Sequence, residues 1–334
     1  MVVRDDANAK MKAARKEAAN LGKFYTPECV SKLVVELAWV PSLEPKIYDP
    51  TCGSGLLLSV AMKGYDSPTL YGQDIDPESC ELARSLPNAH IFCGDTLTQP
   101  FRWAKRNELF QSEDIKFDMI VSNPPFGIKW DPSEVKDDPD FFGAVAPKGA
   151  PELAFVQRAY SQLAEHGKAC FVLPPSVLFR TGAENEIRKW LVDNLKIETI
   201  IALPDRLFDA TSISTILLVL TKRNNYGVYF FNATNVYTES KGVKRHISDE
   251  QITNIVNFVR NRVACENGKT VMPDEIASKD YCLDVNRYFD KPKETIPTPF
   301  ELLDQLEAKN EERYQTTREF IATMRTKLSN SAKD

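Results

Sequence analysis

Short apolar runs, each closed by glycine, proline or a polar residue, alternate along most of this chain with segments whose apolar residues recur at helical spacing. Ile47-Tyr48 and the stretches 69–74, 89–93, 117–121, 169–173, 197–203 and 214–220 read as strands. Helices are predicted between them. They carry Val30, Leu33, Val34 and Leu37; Leu56, Leu57, Val60 and Ala61; Cys80, Leu82, Ala83 and Leu86; Leu153, Phe155, Val156 and Ala159 on a helix running to Gly167; and the segment 183–194. Such alternation makes a parallel sheet covered by helices on both faces. The last two strands are joined by PDRLFDATSI, too short for a crossover helix, so they pair antiparallel. The fold class is therefore α/β: a seven-stranded, doubly wound sheet with an antiparallel last strand.

The pattern divides the chain into an exposed helix over 1–21, a main body over 22–225, an extension over 226–290 and a helical tail over 291–334. Thr26 is a suitable N-cap, with Pro27 in the first helical position. The segment 127–150, with Asp131, Asp137, Asp138 and Asp140, is too long for a plain connection. It reads as a mobile element that orders on substrate, or as a surface insertion. An added edge strand is expected at 228–231, and a helix capped by Ser248 carries Ile252, Ile255, Val256 and Val259. Residues 241–246 are a basic turn, a phosphate contact or a solvated hairpin, and 275–290 read as irregular and aromatic. After a proline-rich linker at 291–299, Leu302, Leu303, Leu306, Tyr314, Phe320 and Ile321 lie along a charged helix whose apolar stripe needs another surface.

Composition narrows the class. An apolar fraction of 43% and a charged fraction of 27% are those of a soluble globular protein. No apolar run approaches the ~20 residues of a membrane span, and the charged, Ala-rich start is no secretory signal. Seven scattered cysteines without a C-x-x-C pair suggest reduced thiols in a cytoplasm, and three histidines show no metal spacing, so no metal is expected. The net charge of −5 is unlike that of a protein gripping DNA alone, so work on DNA would imply a partner that does much of the holding.

Candidate chemistry gathers at the strand ends, where open α/β sheets bind ligands. The first strand stops at Asp49, and Gly53 and Gly55 form a tight turn into a helix, without the third glycine of a dinucleotide fingerprint and without a G-K-[ST] P-loop. Asp49 can accept from an ammonium group, which suits the amino-acid end of S-adenosylmethionine. Asp74 ends the second strand, where ribose hydroxyls are held in this class of fold. Asp95 follows the third and can accept from an adenine amino group. Each aspartate alone reads more readily as a solvated loop residue or helix cap; three in register imply a cofactor pocket. The fourth strand ends in Asn123-Pro124-Pro125-Phe126. The prolines stop the strand, leaving an amide, a carbonyl and a ring. Two acceptors can take both N–H groups of an exocyclic amine and aim its lone pair at a methyl donor, while Phe126 stacks the base. The plainer alternative is a strand-ending turn with a core Phe.

GKFYTP, DPTCGSG, GQDID, GD, NPPFG and LPPSVLFR, in this order, closely resemble the N6-adenine DNA methyltransferases, in particular the modification subunit of type I restriction–modification systems. The resemblance runs from about Gly22 to Arg223, with an echo in DYCLDVNRYFD. It implies a Rossmann-like S-adenosylmethionine-dependent methyltransferase fold with a C-terminal helical extension. It implies that Phe24, Tyr25 and Thr26 border the methionine part of the cofactor, and that Asp49, Pro50, Cys52, Gly53, Ser54 and Gly55 form its turn. Asp74 with Ile75 would meet the ribose, and Asp95 with Thr96 the cofactor adenine. Asn123, Pro124, Pro125 and Phe126 would bind the target base beside the cofactor, with Phe179 and Arg180 as lesser contacts. The implied partners are double-stranded DNA with a flipped adenine, a specificity subunit, a second methyltransferase subunit and a restriction subunit. Members usually carry a longer helical domain before the FYTP loop, and many have Glu where this chain has Asp74. The first departure leaves DNA engagement to partners, and keeps open a structural role beside a second methyltransferase subunit. RNA or a protein glutamine are the other planar targets.

Overall fold

The computed structural model describes residues 26–100, 115–208, 214–239, 245–289 and 299–331. The expected helix over 1–21, Phe24 and Tyr25, most of the 98–116 connection, Lys241 to Lys244 and most of the proline-rich linker lie outside the described residues.

All seven expected strands form, and two more join them. The strands are β1 (Lys46–Asp49), β2 (Thr69–Asp74), β3 (Ala89–Cys93), β4 (Phe117–Ser122), β5 (Leu163–Leu173), β6 (Ile197–Ala202), β7 (Ile216–Thr221) and β8 (Val228–Asn232). A two-stranded ribbon, β9 (Thr238–Glu239) with β10 (Arg245–His246), precedes β11 (Gly268–Val271). The main sheet has nine strands in the order β11-β8-β6-β7-β5-β4-β1-β2-β3. The expectation of an edge strand at 228–231 is corrected: β8 pairs parallel with β6 on one side and antiparallel with β11 on the other. The polar sequence GKTV of β11 hides it from an apolar-run reading, because its two middle residues are only half covered. By contrast β7, ILLVLT, runs antiparallel between β5 and β6 and is buried along its whole length, as its unbroken apolar sequence requires.

The helices are α1 (Glu28–Ala38), α2 (Leu56–Ala61), α3 (Pro77–Ala83), α4 (Glu152–Ser161), α5 (Ala183–Asp193), α6 (Asp249–Arg260), α7 (Pro273–Ser278) and α8 (Pro299–Ser331). Alternate residues of the central strands feed two cores, one on each face of the sheet. Ile47, Met119, Val121, Cys170 and Val172 belong to one; Tyr48, Ile120, Phe171 and Leu173 belong to the other. Ser248 caps α6 through a reciprocal capping box with Gln251. The expected Thr26 cap is corrected: Pro27 occupies the cap position of α1 and no side chain caps it. Helix α4 ends at Ser161 rather than near Gly167, because β5 starts at Leu163 and Gly167 lies within it. A Cβ at Gly167 would meet the Phe117 carbonyl oxygen at 2.9 Å, so only glycine fits beside the register shift in β4.

Two stretches read as irregular are built into the body. Within 127–150, Trp130, Val135 and Ala146 are buried, Trp130 stacks on Phe141 and Phe142 on Trp190. Two of the aspartates in this segment hold a buried cation: Arg158 Nη1 donates to Asp138 Oδ2 at 2.8 Å and to Asp140 Oδ2 at 2.6 Å. Its Nη2 donates to the Leu97 carbonyl at 2.6 Å. The segment packs onto the body through these residues. Residues 275–290 likewise contain part of α7 and a 3-10 turn at Val285–Arg287, with Tyr288 stacked on Phe230.

The chain divides into two compact units, Met1–Phe289 and Asp290–Asp334. In the second, α8 is 33 residues long and exposes Leu303, Leu306, Tyr314, Phe320, Ile321 and Met324. Among the described residues no helix is long and apolar enough to cross a membrane, and no acid–histidine–cysteine cluster could hold a metal ion. All seven cysteines are free thiols.

Removing a buried cation leaves its acids uncompensated. Arg158→Ala is expected to cost about 3–5 kcal/mol in denaturant unfolding and to open 127–150 to limited proteolysis. Unchanged stability would contradict this packing.

Candidate active site

Strand β1 pairs with β2 on one side and with β4 on the other, although β3 and not β1 precedes β4 in the chain. This reversal of direction opens a crevice beyond the carboxyl ends of β1 and β4. Asp49 ends β1 and Asn123 follows β4, so the topology alone brings the two motifs together.

The turn after β1 is held from several sides. Gly53 and Gly55 have φ of +51° and +85°, and a Cβ at Gly55 would lie 2.7 Å from Leu86 Cδ1. Glycine is required there twice over, for conformation and for space. The Cys52 amide donates to the Gln73 carbonyl at 2.8 Å. The Gly53 amide donates to Asp74 Oδ2 at 2.7 Å, and the Asp76 amide to Asp74 Oδ1 at 2.9 Å. Asp74 therefore splints the glycine turn to the end of β2. Thr96 ties the third strand end to the first by donating to the Pro50 carbonyl. Across the crevice, Thr51 Oγ1 and Ser122 Oγ lie 2.9 Å apart, joining the loops after β1 and β4. Asn123 Nδ2 donates to Thr26 Oγ1 at 3.0 Å.

Of the residues singled out from the sequence, Thr26, Asp49, Cys52, Gly53, Ser54 and Asn123 line one cleft. Thr51, Leu56, Leu57 and Ser79 line it as well and were not foreseen. Thr51 lies within the DPTCGSG motif and Ser122 directly precedes NPPFG, which is the signal the sequence offers for them. The remaining residues stand around the cleft. Pro50 and Pro124 are buried, and Ile75 is 71% exposed. Asp95 accepts from the Leu97 amide and the Thr98 hydroxyl at its own loop. Pro125 is exposed, and Phe126 is half-buried, packed against the core beneath it. Phe179 is 49% exposed, and Arg180 Nη1 lies 3.5 Å from Glu152 and 3.4 Å from Glu184.

The family model for N-6 DNA Methylase matches residues 10–295 of the chain. The chain belongs to that family. Among curated relatives, the type I restriction enzyme MpnII methylase subunit of Mycoplasma pneumoniae is 33% identical over 295 residues, covering 82% of this chain and 54% of the relative. The MjaIX methylase subunit of Methanocaldococcus jannaschii is 31% identical over 308 residues, covering 84% and 54%. The solved methyltransferase subunit of a type I restriction–modification system from Streptococcus thermophilus superposes with a TM-score of 0.73 at 34% identity, covering 80% of this chain and 59% of that one. The chain thus spans about half the length of the curated relatives it matches. Its sheet is that of the S-adenosylmethionine-dependent methyltransferases, with nine strands rather than the seven expected.

In this N-6 DNA methylase family member the strand-end acids differ in environment. Asp49 is only 1% exposed. Burial pushes its carboxyl up to about 8, the nearby charge of Asp74 adds to the rise, and the Thr51 amide, donating to Oδ1 at 3.0 Å, opposes it. Burial also raises the Cys52 thiol well above the ordinary range, so this cysteine is no nucleophile at neutral pH.

The Asp49 shift carries a sign for stability. An unfolded aspartate titrates near 4, so between about 4 and about 8 the folded state keeps a proton that the unfolded chain has lost. Stability then falls as pH rises through that window. Asp49→Asn is expected to raise the melting temperature of the free protein by about 2–4 °C or more at pH 8, and by less at pH 5. A gain that is equal at both values would contradict the raised pKa.

Proposed function

We propose that this chain transfers a methyl group from S-adenosylmethionine to N6 of adenine in DNA, as the modification subunit of a type I restriction–modification assembly. The observation that carries this reading is the Asn123 amide, fixed by Thr26 at the mouth of the cleft that Asp49 floors.

The residues fit the cofactor. Among the described residues Asp49 has a hydrogen-bonding amide and a second acid as its neighbours rather than a cation, which is the chemistry of a site suited to a positive group. An ammonium there would convert it to the carboxylate. Asp74 gives one lone pair of each oxygen to a backbone amide and keeps others for ribose hydroxyls. The backbone around Gly53 allows close approach, and Ile75 and Asp95 border the adenine end. When bound, S-adenosylmethionine supplies an electrophilic methyl on a sulfonium.

With Asn123 Nδ2 committed to Thr26, Oδ1 is the atom turned to acceptance. Together with the Pro124 carbonyl it takes both N–H groups of the adenine amine, draws the nitrogen toward a tetrahedral shape and directs its lone pair. Phe126 offers its uncovered side to the flipped base. Loss of the proton follows transfer and needs no strong base.

The relatives named above are methylase subunits of type I restriction enzymes, which supports the same assembly here. Double-stranded DNA with a flipped adenine is the substrate. A specificity subunit chooses the sequence, and a second methyltransferase subunit and a restriction subunit are the further partners. The exposed apolar residues Leu303, Leu306, Tyr314, Phe320, Ile321 and Met324 of α8 suit a helical partner. The net charge of −5 agrees with DNA being held largely by such partners.

The test is methyl transfer by the reconstituted complex on DNA, RNA and protein. Asn123→Ala is expected to lower transfer to DNA about 10²-fold or more while the cofactor Kd changes less than about fivefold. Unchanged transfer would favour a structural role beside another methyltransferase subunit, and transfer to RNA or protein instead of DNA would move the substrate.

A further inference from the structure

The loop carrying Asn123 and Phe126 is held from behind by one side chain. Glu152, the first residue of α4, is 1% exposed, and its Oε1 accepts from the Gly127 amide at 2.8 Å. Gly127 has φ of +62°, so the chain leaves the Asn-Pro-Pro-Phe turn in a left-handed conformation that this bond pins. Glu152 Oε2 is buried without a hydrogen bond, and Arg180 Nη1 stands 3.5 Å away as its charge partner. The same guanidinium faces a second buried acid, Glu184, at 3.4 Å.

The loop that carries Arg180 is fixed independently. Buried Arg188 donates to the carbonyls of Val177, Arg180 and Tyr281, and the Leu283 amide donates to the Leu178 carbonyl at 2.8 Å. This loop after β5 presents the exposed Phe179 on a rigid base. A buried carboxylate is costly, and a neutral amide would hold Gly127 equally well. The charge of Glu152 matters only for what else it holds, and that is Arg180.

We propose that Glu152 is a positioning residue for the target-base loop, coupling it through Arg180 to the Phe179 loop so that the two move as one body. The proposal rests on the reading of 123–126 as the base-binding turn. Glu152 touches neither base nor cofactor; it acts through Gly127.

Amide hydrogen exchange of the full chain, without DNA or cofactor, tests the coupling independently of the substrate. Glu152→Ala is expected to speed exchange of the Gly127 amide by at least about tenfold while 119–121 of β4 stay protected, and Glu152→Gln, which keeps an acceptor for Gly127, restores most of the protection. Arg180→Gln is expected to loosen the same amide about threefold. In the reconstituted complex Glu152→Ala lowers kcat by about tenfold or more with the cofactor KM within about twofold, and Glu152→Gln recovers part of the loss. Unchanged exchange at Gly127, or a loss confined to cofactor affinity, overturns the proposal. Should Glu152→Ala not fold, Arg180→Gln decides, since full protection there means the loops are uncoupled. A parent complex that methylates no DNA would sink the functional reading and leave exchange as the judge of this one.

Discussion

A carboxyl group is held out of water at the end of β1, and the surrounding structure is arranged to keep it there. Asp49 sits on the floor of a crevice created by the reversal of strand order, where β1 is flanked by β2 and β4. Its burial is costly to the free protein, as its pKa near 8 records. That cost persists only because neighbouring strands over-determine the turn that follows. Cys52 bonds to Gln73, Gly53 and Asp76 bond to Asp74, and Thr51 meets Ser122 across the crevice. Even Gly72 in β2 contributes by its lack of a side chain, since a Cβ there would lie 2.9 Å from Cys52 Sγ.

The base side is built by the same means. Two prolines end β4, and the groups they release are fixed by residues far away in sequence: Thr26 takes the Asn123 amide and Glu152 takes the Gly127 amide. The Thr26 hydroxyl, lying just before α1, thus fixes the Asn123 amide. The glycine turn after β1 and the Asn-Pro-Pro-Phe turn after β4 become two walls of one cleft, joined at Thr51 and Ser122.

Much of this was legible in the sequence. Strands buried on both faces must be largely apolar, so β4 and β7 declare themselves, and the short 204–213 connection fixes β7 as the antiparallel strand. What stayed hidden depends on tertiary partners. β11 is polar because it is an edge strand. The role of the acids of 127–150 is hidden until Arg158 of α4, at a distance in sequence, is seen between Asp138 and Asp140. Thr26 has the chemistry of a helix cap, but its hydroxyl finds a longer-range partner. Asp74 reads as a ribose acceptor, and its splinting of the glycine turn is seen only in the fold.

The central claim is that Asp49 is a built receptor for a cation, neutral while it waits and charged once occupied. Calorimetry of S-adenosylmethionine binding in buffers of different ionisation enthalpy measures the protons exchanged. The account predicts release of about one proton per cofactor bound at pH 7, declining toward zero by pH 9 as Asp49 ionises unaided. Binding without proton release at pH 7, or with undiminished affinity in Asp49→Asn, would contradict it.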